Sequence, residues 1–364
     1  MSTEQEIETV PATMRAAVYR GVNDVRVETV PVPEIGAGEV LVKIHTCGIC
    51  GTDLKKIHTG SHDAPRIFGH EMAGTIVKAG EGVSGFKVGD RVMAYHHVPC
   101  GECYYCSKQT FAQCEDYKKV GCTAGFVPSG GGFAEYIRVM DRIVQRGGLV
   151  KIPDEIPFEQ AAFLEPVNTC YKAIQLLHLR PDETVLVIGQ GPIGVLLASI
   201  ARKSGATVLT SDLYPERHAI AAKFGLDHPL DARGDVVAAA KAATEGRGAD
   251  VALLAVGGNA LIKVAMDAIR PGGRVVLFAQ TQHGEAPFDP ATVCMDEKTL
   301  MGSYSSSASY NDDVNRLVFD GFRNGFDLTG LISHRFSLED AVAAIELASH
   351  PQADSMKIVI QPQS

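Results

Sequence analysis

The chain has 364 residues, 45% of them hydrophobic, with 43 acidic against 34 basic side chains and a formal net charge of -9. This length excludes a single small domain and allows two units that each bury a core; the acidic balance, with no basic block, excludes nucleic acid as a partner class. No apolar run reaches the roughly 18 to 20 residues of a membrane span, and the first ten residues, with Glu4, Glu6 and Glu8, do not read as a secretory signal.

A cytoplasmic setting is therefore expected, with the nine cysteines kept reduced and their spacing read for metal rather than for disulfides. After a polar lead expected to be mobile, short alternating strands cut by Gly and Pro are predicted over 39–45, 74–78, 87–94 and 133–139. Gly130 to Gly132 reads as a turn. The texture changes near Pro157 to helical periodicity over 161–177, and from Thr184 strands and helices alternate. Apolar strands at 184–188, 207–210, 251–256, 274–279 and 299–302 are separated by helices such as 192–203 and 259–270. Apolar strands alternating with helices imply a parallel sheet covered on both faces. From about residue 305 two helices, 312–324 and 338–349, precede a last strand, 356–360, which is expected to return to the first unit.

Four cysteines, Cys100, Cys103, Cys106 and Cys114, form CxxCxxCx7C in one loop-like stretch. Gaps of two let successive thiolates turn toward one point, and the longer gap lets the chain loop back to complete a tetrahedron of sulfur. Four sulfurs saturate zinc, so such a site is structural. An iron-sulfur cluster is the rival occupant, but the proline expected after the last cysteine of the bacterial run is replaced by Glu115.

A second constellation is scattered: Cys50-Gly51-Thr52-Asp53, then Gly69-His70-Glu71, and later Leu164-Glu165-Pro166. Taken singly, each has an ordinary reading as a core thiol, a hydrogen-bonded histidine or a helix-end acid. Together they supply one thiolate, one imidazole and one or two carboxylates, the ligand count of a catalytic zinc with an open position. Spacing alone does not show that Glu165 meets Cys50 in space.

The run 184–188 leads into Gly189-Gln190-Gly191-Pro192-Ile193-Gly194, an apolar strand entering GxGxxG and then a helix. The glycines permit the turn, let the backbone approach a pyrophosphate and pack helix on strand, and the helix N-terminus favours the phosphates. Asp212 ends the next strand, where its carboxylate would accept ribose hydroxyls and favour NAD; its ordinary reading is a surface turn acid before Pro215, and Arg217 keeps tolerance of NADP open.

These motifs, with Gly132-Phe-Ala-Glu-Tyr136 and Pro271-Gly-Gly-Arg-Val275, resemble in consistent order from about Met14 onward the medium-chain zinc alcohol dehydrogenase superfamily, in its sorbitol, polyol and threonine dehydrogenase branch. The resemblance implies an α/β chain: a GroES-like β-rich catalytic domain, 1–166 with 305–364, and a Rossmann doubly wound parallel-sheet domain, 167–304, with the active site between them. It implies a catalytic zinc on Cys50, His70 and Glu165, with Glu71 as an additional or exchanging ligand, and a structural zinc on the four-cysteine lobe. Cys47 lies one turn too early, and Cys122, Cys170 and Cys294 match no ligand position and are expected to pack.

The implied reaction is oxidation of a secondary alcohol of a hydroxylated small molecule, with Thr52 carrying the proton and NAD taking the hydride. Asp53 would support the metal ligands from behind. Many relatives end the proton relay on a histidine where this chain has Lys55, so the exit passes to His58, cofactor ribose or water. His96 and His97 either face the substrate or, for at least one of them, lie on the surface. Oxidation of L-threonine, or a non-catalytic nucleotide-binding role, are the alternatives. A homo-oligomer, tetramer or dimer, is implied, with 325–334 contributing contacts.

Overall fold

A computed structural model describes residues 9–117, 131–279, 284–286 and 288–364. Cys122, Gly130 and the first eight residues of the polar lead lie outside the described residues. The chain divides into two units, Met1–Glu165 with Asn311–Gln352 and Lys357–Ser364, and Pro166–Tyr310 with Ala353–Met356. Among the described residues no helix is long and apolar enough to cross a membrane.

The first unit is β-rich. Its main sheet runs Ile332–Ser337, Lys357–Gln361, Val40–Gly48, Glu71–Ala79, Arg91–Ala94 and Leu149–Lys151, with Tyr136–Val139 also pairing to Val40–Gly48. The last strand of the chain thus hydrogen-bonds antiparallel to an early one, Ile360 opposite Cys47 and Val359 opposite Gly48. A smaller sheet holds the hairpin Thr13–Gly21 and Asp24–Pro31 with Arg66–Ile67. Val40–Gly48 is buried along most of its length, as its VLVKI sequence requires of a strand covered on both faces.

The helical periodicity over 161–177 resolves into two helices, Phe158–Ala162 and Leu164–Gln175, parted at Phe163. Pro166 explains the break: with no backbone N–H it is tolerated in the first turn of a helix but not in its interior. The second helix therefore restarts just before it, and Glu165 falls in that first turn. Gln160, fully buried, ties the first helix to the C-terminal segment, donating to the carbonyl of Val318 at 3.0 Å and accepting the N–H of Leu328 at 2.8 Å.

The second unit is a six-stranded parallel sheet ordered Pro229–Asp231, Thr207–Asp212, Thr184–Ile188, Ala249–Leu254, Ile269–Leu277, Thr299–Gly302. Numbered along the chain this is 3-2-1-4-5-6, the doubly wound dinucleotide-binding order. Its central strand buries Val185, Leu186 and Val187 completely, each worth about 1.5–3 kcal/mol of transfer free energy.

Candidate metal centre and dinucleotide site

The register of the first sheet brings several of the candidate ligands together. Gly48 lies opposite Glu71 on one side and Val359 on the other, so the chain leaving that strand through Ile49 and Cys50 emerges beside Glu71 and Lys357. Gly48 itself has no room for a side chain: a Cβ there would strike the Glu71 carboxylate and the end of Lys357.

Cys50, in extended conformation, caps the helix Gly51–Thr59 in a capping-box arrangement with Asp53, whose Oδ2 accepts the Cys50 N–H at 3.2 Å. Gly69 has φ +96, and a Cβ on it would meet the Phe133 ring and Cys47 Sγ, so the Gly-His-Glu turn needs its glycine twice over. His70 follows, with Nδ1 donating to Asp53 Oδ1 at 3.0 Å; the Gly69 N–H approaches the same oxygen at 3.3 Å. Asp53 is fully buried, which alone would raise its pKa, but His70 outweighs burial and the carboxyl is lowered. Burial in turn opposes charge on His70, yet Asp53 and Cys50 raise it well above the ordinary histidine range. A cation at the remaining nitrogen, Nε2, is what this surrounding favours.

The ligand atoms of Cys50, His70 and Glu71 lie within 4.8 Å of one another, and so do those of His70, His96 and Glu165. Cys50 and Glu165 thus fall in two overlapping groups with His70 common to both. Burial pushes Glu165 up to about 7, with Glu71 adding to the effect and His70 opposing it. Lys357, which sequence reasoning passed over, is buried with its ammonium paired to Glu71 and donating to the Ile49 carbonyl at 3.0 Å. Burial would lower its pKa, but Glu71 prevails and raises it. The only sequence signal was a lysine heading the apolar run Ile358–Ile360.

Other expected residues separate clearly. Thr52 is exposed on the first turn of the helix that Cys50 caps. Cys47 is fully buried in the sheet core, where burial raises its thiol pKa well above the ordinary value, and it belongs to neither group. His58 has both ring nitrogens engaged, with Asn23 at 2.6 Å and Ser349 at 2.9 Å, at the far end of its helix. Neither His96 nor His97 is a surface residue: His96 is buried with its ring 4.7 Å from that of His70, and His97 is half-buried against it. Cys170 packs as expected, whereas Cys294 is exposed at the end of the short helix Pro290–Cys294, which buries no residue.

The four cysteines of the lobe converge, their sulfurs all within 4.8 Å. Backbone N–H groups point at them: Cys100 N–H to Cys114 Sγ at 3.2 Å and Cys103 N–H to Cys100 Sγ at 3.3 Å. The Glu115 N–H leads in pulling Cys103 down to about 6, while burial pushes Cys106 up to about 12. Sulfurs this close do not all ionise without a cation to share.

In the second unit Gly189 has φ +93, and a Cβ on Gly194 would overlap the Gly189 carbonyl, so strand and helix approach more closely than any other residue allows. Gly191 caps the helix Pro192–Lys203, with Pro192 and Ile193 as its first residues. A Cβ on Gly191 would meet nothing within 4 Å; it would project into open space at the helix N-terminus, the kind of place that favours an anion. Asp212 is buried rather than a surface turn acid, its carboxylate accepting the N–H groups of Gln190 at 2.6 Å and Tyr214 at 3.0 Å. Arg217 sits 3.7 Å from that carboxylate and stacks over Tyr214.

The donor sets fit two zinc ions of different kinds. Four thiols close one shell, whereas a thiol, an imidazole with its tautomer held by Asp53 and carboxylates leave the other room for an exchangeable ligand.

Residues 36–154 match the family model for the alcohol dehydrogenase GroES-like domain and residues 192–319 that for zinc-binding dehydrogenase. The chain is 32% identical to sorbitol dehydrogenase of Bacillus subtilis over 97% of its own length and 99% of that protein. It is 31% identical to L-threonine 3-dehydrogenase of Rhizobium rhizogenes, over 86% and 88%. Among solved structures, a zinc-binding dehydrogenase of Sinorhizobium meliloti with NADP bound matches with a TM-score of 0.85 at 29% identity, covering 97% of this chain and 100% of that one.

Proposed function

We propose that this chain, which belongs to the zinc-dependent medium-chain alcohol dehydrogenase superfamily, oxidises a secondary alcohol of a polyol or sugar-like substrate to a ketone, reversibly, with NAD. The observation that carries the reading is the cluster of thiol, imidazole and carboxylate around His70, with Asp53 behind it.

When bound, the catalytic zinc supplies a Lewis acid that lowers the pKa of the alcohol, and the dinucleotide accepts the hydride. Cys50, His70 and Glu165 hold the metal, with Glu71 as an exchanging donor. Asp53 keeps the His70 proton on Nδ1 and so leaves Nε2 free to bind. Thr52, two residues beyond Cys50 and exposed, takes the alcohol proton through its hydroxyl. Gly189, Gly191 and Gly194, with the helix opening at Pro192 and Ile193, receive the pyrophosphate, and Asp212 the adenosine ribose. Arg217 leaves some room for a 2'-phosphate, a reading supported by the NADP carried by the Sinorhizobium relative. The cysteines of the lobe hold a structural zinc. A cytoplasmic homo-oligomer, dimer or tetramer, completes the proposal, with residues 325–334 contributing contacts.

Reduction of NAD followed at fixed pH against polyols, sugars and L-threonine tests the substrate class. Turnover is expected with a polyol or sugar bearing a secondary hydroxyl. Turnover confined to threonine would move the chain to the amino-alcohol reading, and none with any hydroxylated compound would defeat both.

A further inference from the structure

The helix Gly51–Thr59 brings a charge toward the metal centre as well as Thr52 and Asp53. Lys56 lies one turn beyond Thr52, and i, i+4 side chains on a helix are neighbours, roughly 5–6 Å apart at Cβ. Helical side chains also lean back toward the N-terminus, which here is capped by Cys50. Lys56 is half-buried, with its ammonium over the ring of the buried Phe68, 5.6 Å from the centroid. Phe68 stands two residues before His70. The ammonium thus lies beside the turn that presents His70, and its charge is felt by Asp53, His62 and His96, of which Asp53 and His96 are buried.

The ordinary reading of Lys56 is a last-turn lysine favoured by the helix dipole, its stem lying on apolar surface. That role is met by an ammonium in solvent and does not call for one that influences a ring as deep as His96. Nor does an acid hold it there, since the Lys56 side chain has no hydrogen-bond or ion-pair partner among the described residues. Asp53, the buried carboxylate within its influence, already accepts the N–H groups of Cys50 and Gly69 and Nδ1 of His70. His62 and His96 bring no negative charge, and burial leads in holding both below the ordinary histidine range. Arg66 adds a second positive charge at His62, with Asp63 opposing it. The three donors of the ammonium are available to a ligand, and an anionic oxygen is the acceptor they favour.

Resting on the dehydrogenase reading above, we infer that Lys56 is a specificity residue of the substrate site, and that the favoured substrate carries an anionic group, carboxylate or phosphate, in addition to its secondary hydroxyl. Thr52 meets the hydroxyl and Lys56, one turn along the same helix, meets the anionic group. The two contacts fix which carbon of a hydroxylated chain reaches the reacting position, a choice that neutral hydroxyls of similar size leave open.

The test uses the full chain with NAD and three matched substrate series: neutral tetritols, pentitols and hexitols, the sugar acids derived from them, and their terminal phosphates. In the wild type, kcat/KM for one anionic series is expected to exceed that of the neutral series by at least about tenfold, the worth of one hydrogen bond between charged groups, and the margin to shrink as salt is raised. Which series leads decides between carboxylate and phosphate. Lys56→Met is expected to bring the anionic and neutral series to about the same kcat/KM, Lys56→Arg to keep most of the margin and Lys56→Glu to reverse it, with far-ultraviolet circular dichroism checking each fold. Should Lys56→Glu fail to fold, the Met and Arg variants decide. Neutral polyols turned over as well as both anionic series, or a margin that survives in folded Lys56→Met, would overturn the role of Lys56 and leave the polyol reading intact. No turnover with any member of the three series would overturn both.

Discussion

His70 Nδ1 and Asp53 Oδ1 lie 3.0 Å apart with both side chains buried, Asp53 completely. The pair reaches across from a helix to the residue just before a strand and decides which imidazole nitrogen is left for a metal. Asp53→Asn keeps the size and loses the charge, so the catalytic metal is expected to bind about 10 to 100 times more weakly. Chelator competition measures this directly. Metal on the four-cysteine lobe should be unaffected, and an unchanged affinity at the catalytic site would remove Asp53 from the centre.

The two metal positions should separate by mutation. Wild-type protein is expected to carry about two zinc per chain. Cys50→Ala should drop this to one, leave thermal unfolding nearly unchanged and abolish turnover, because its thiol serves the reacting centre. Cys103→Ser should also drop it to one but lower the unfolding midpoint, since a closed sulfur shell contributes directly to folding. Elemental analysis beside thermal melts decides between the patterns, and equal melts for the two variants would contradict the division of roles.

Cofactor choice should turn on Asp212 and Arg217. The Asp212 carboxylate already holds the N–H groups of Gln190 and Tyr214, so Asp212→Ala loosens the turn as well as losing the ribose contact. A charged hydrogen bond of about 1.5–3 kcal/mol corresponds to roughly tenfold or more in KM for NAD, with a smaller effect on NADP, which this carboxylate repels. Arg217→Ala should cost NADP more than NAD. Steady-state constants for both cofactors test the pair, and parallel losses in the two variants would count against the assignment.

Acid stability carries a signature of the second unit. Glu183 is buried, accepting the Arg180 N–H at 3.0 Å and pairing with Arg274. Burial would raise its pKa, but the Arg274 hydrogen bond and its neighbours lower it below the usual glutamate value. A lowered folded pKa gives stability that is present above the unfolded value, about 4.3, and is lost as pH falls through the folded one. Glu183→Gln should therefore cost about 1.5–3 kcal/mol near neutrality and progressively less as pH drops below about 4. Denaturant unfolding at several pH values measures it; a cost that stayed constant on acidification would refute the linkage.

Local pattern was legible from the residues alone. The strand Thr184–Ile188, the helix Pro192–Lys203 and the strand Thr299–Gly302 match the sequence expectation residue for residue, because apolar runs, a proline at the first helical position and glycine turns act within a few residues. Where a rule acts across a longer window, periodicity misled: one helix over 161–177 became two because Pro166 cannot sit inside a continuous one. The CxxCxxCx7C lobe was equally plain, since all four donors belong to one short segment.

The catalytic cluster was of another kind. From sequence one can name Cys50, His70, Glu71 and Glu165 as suitable donors, but their meeting depends on sheet register: Gly48 opposite Glu71 and Val359. The same register brings in Lys357 from the last strand, and His96 enters from the chain leading into the lobe, neither of which carries a motif. Short-range chemistry is written in residue order, because a turn, a cap or a thiolate pair closes over a few bonds. Long-range proximity is decided by strand pairing and burial, which sum many weak contacts spread over the whole chain, and only the folded unit shows which donors gather around His70.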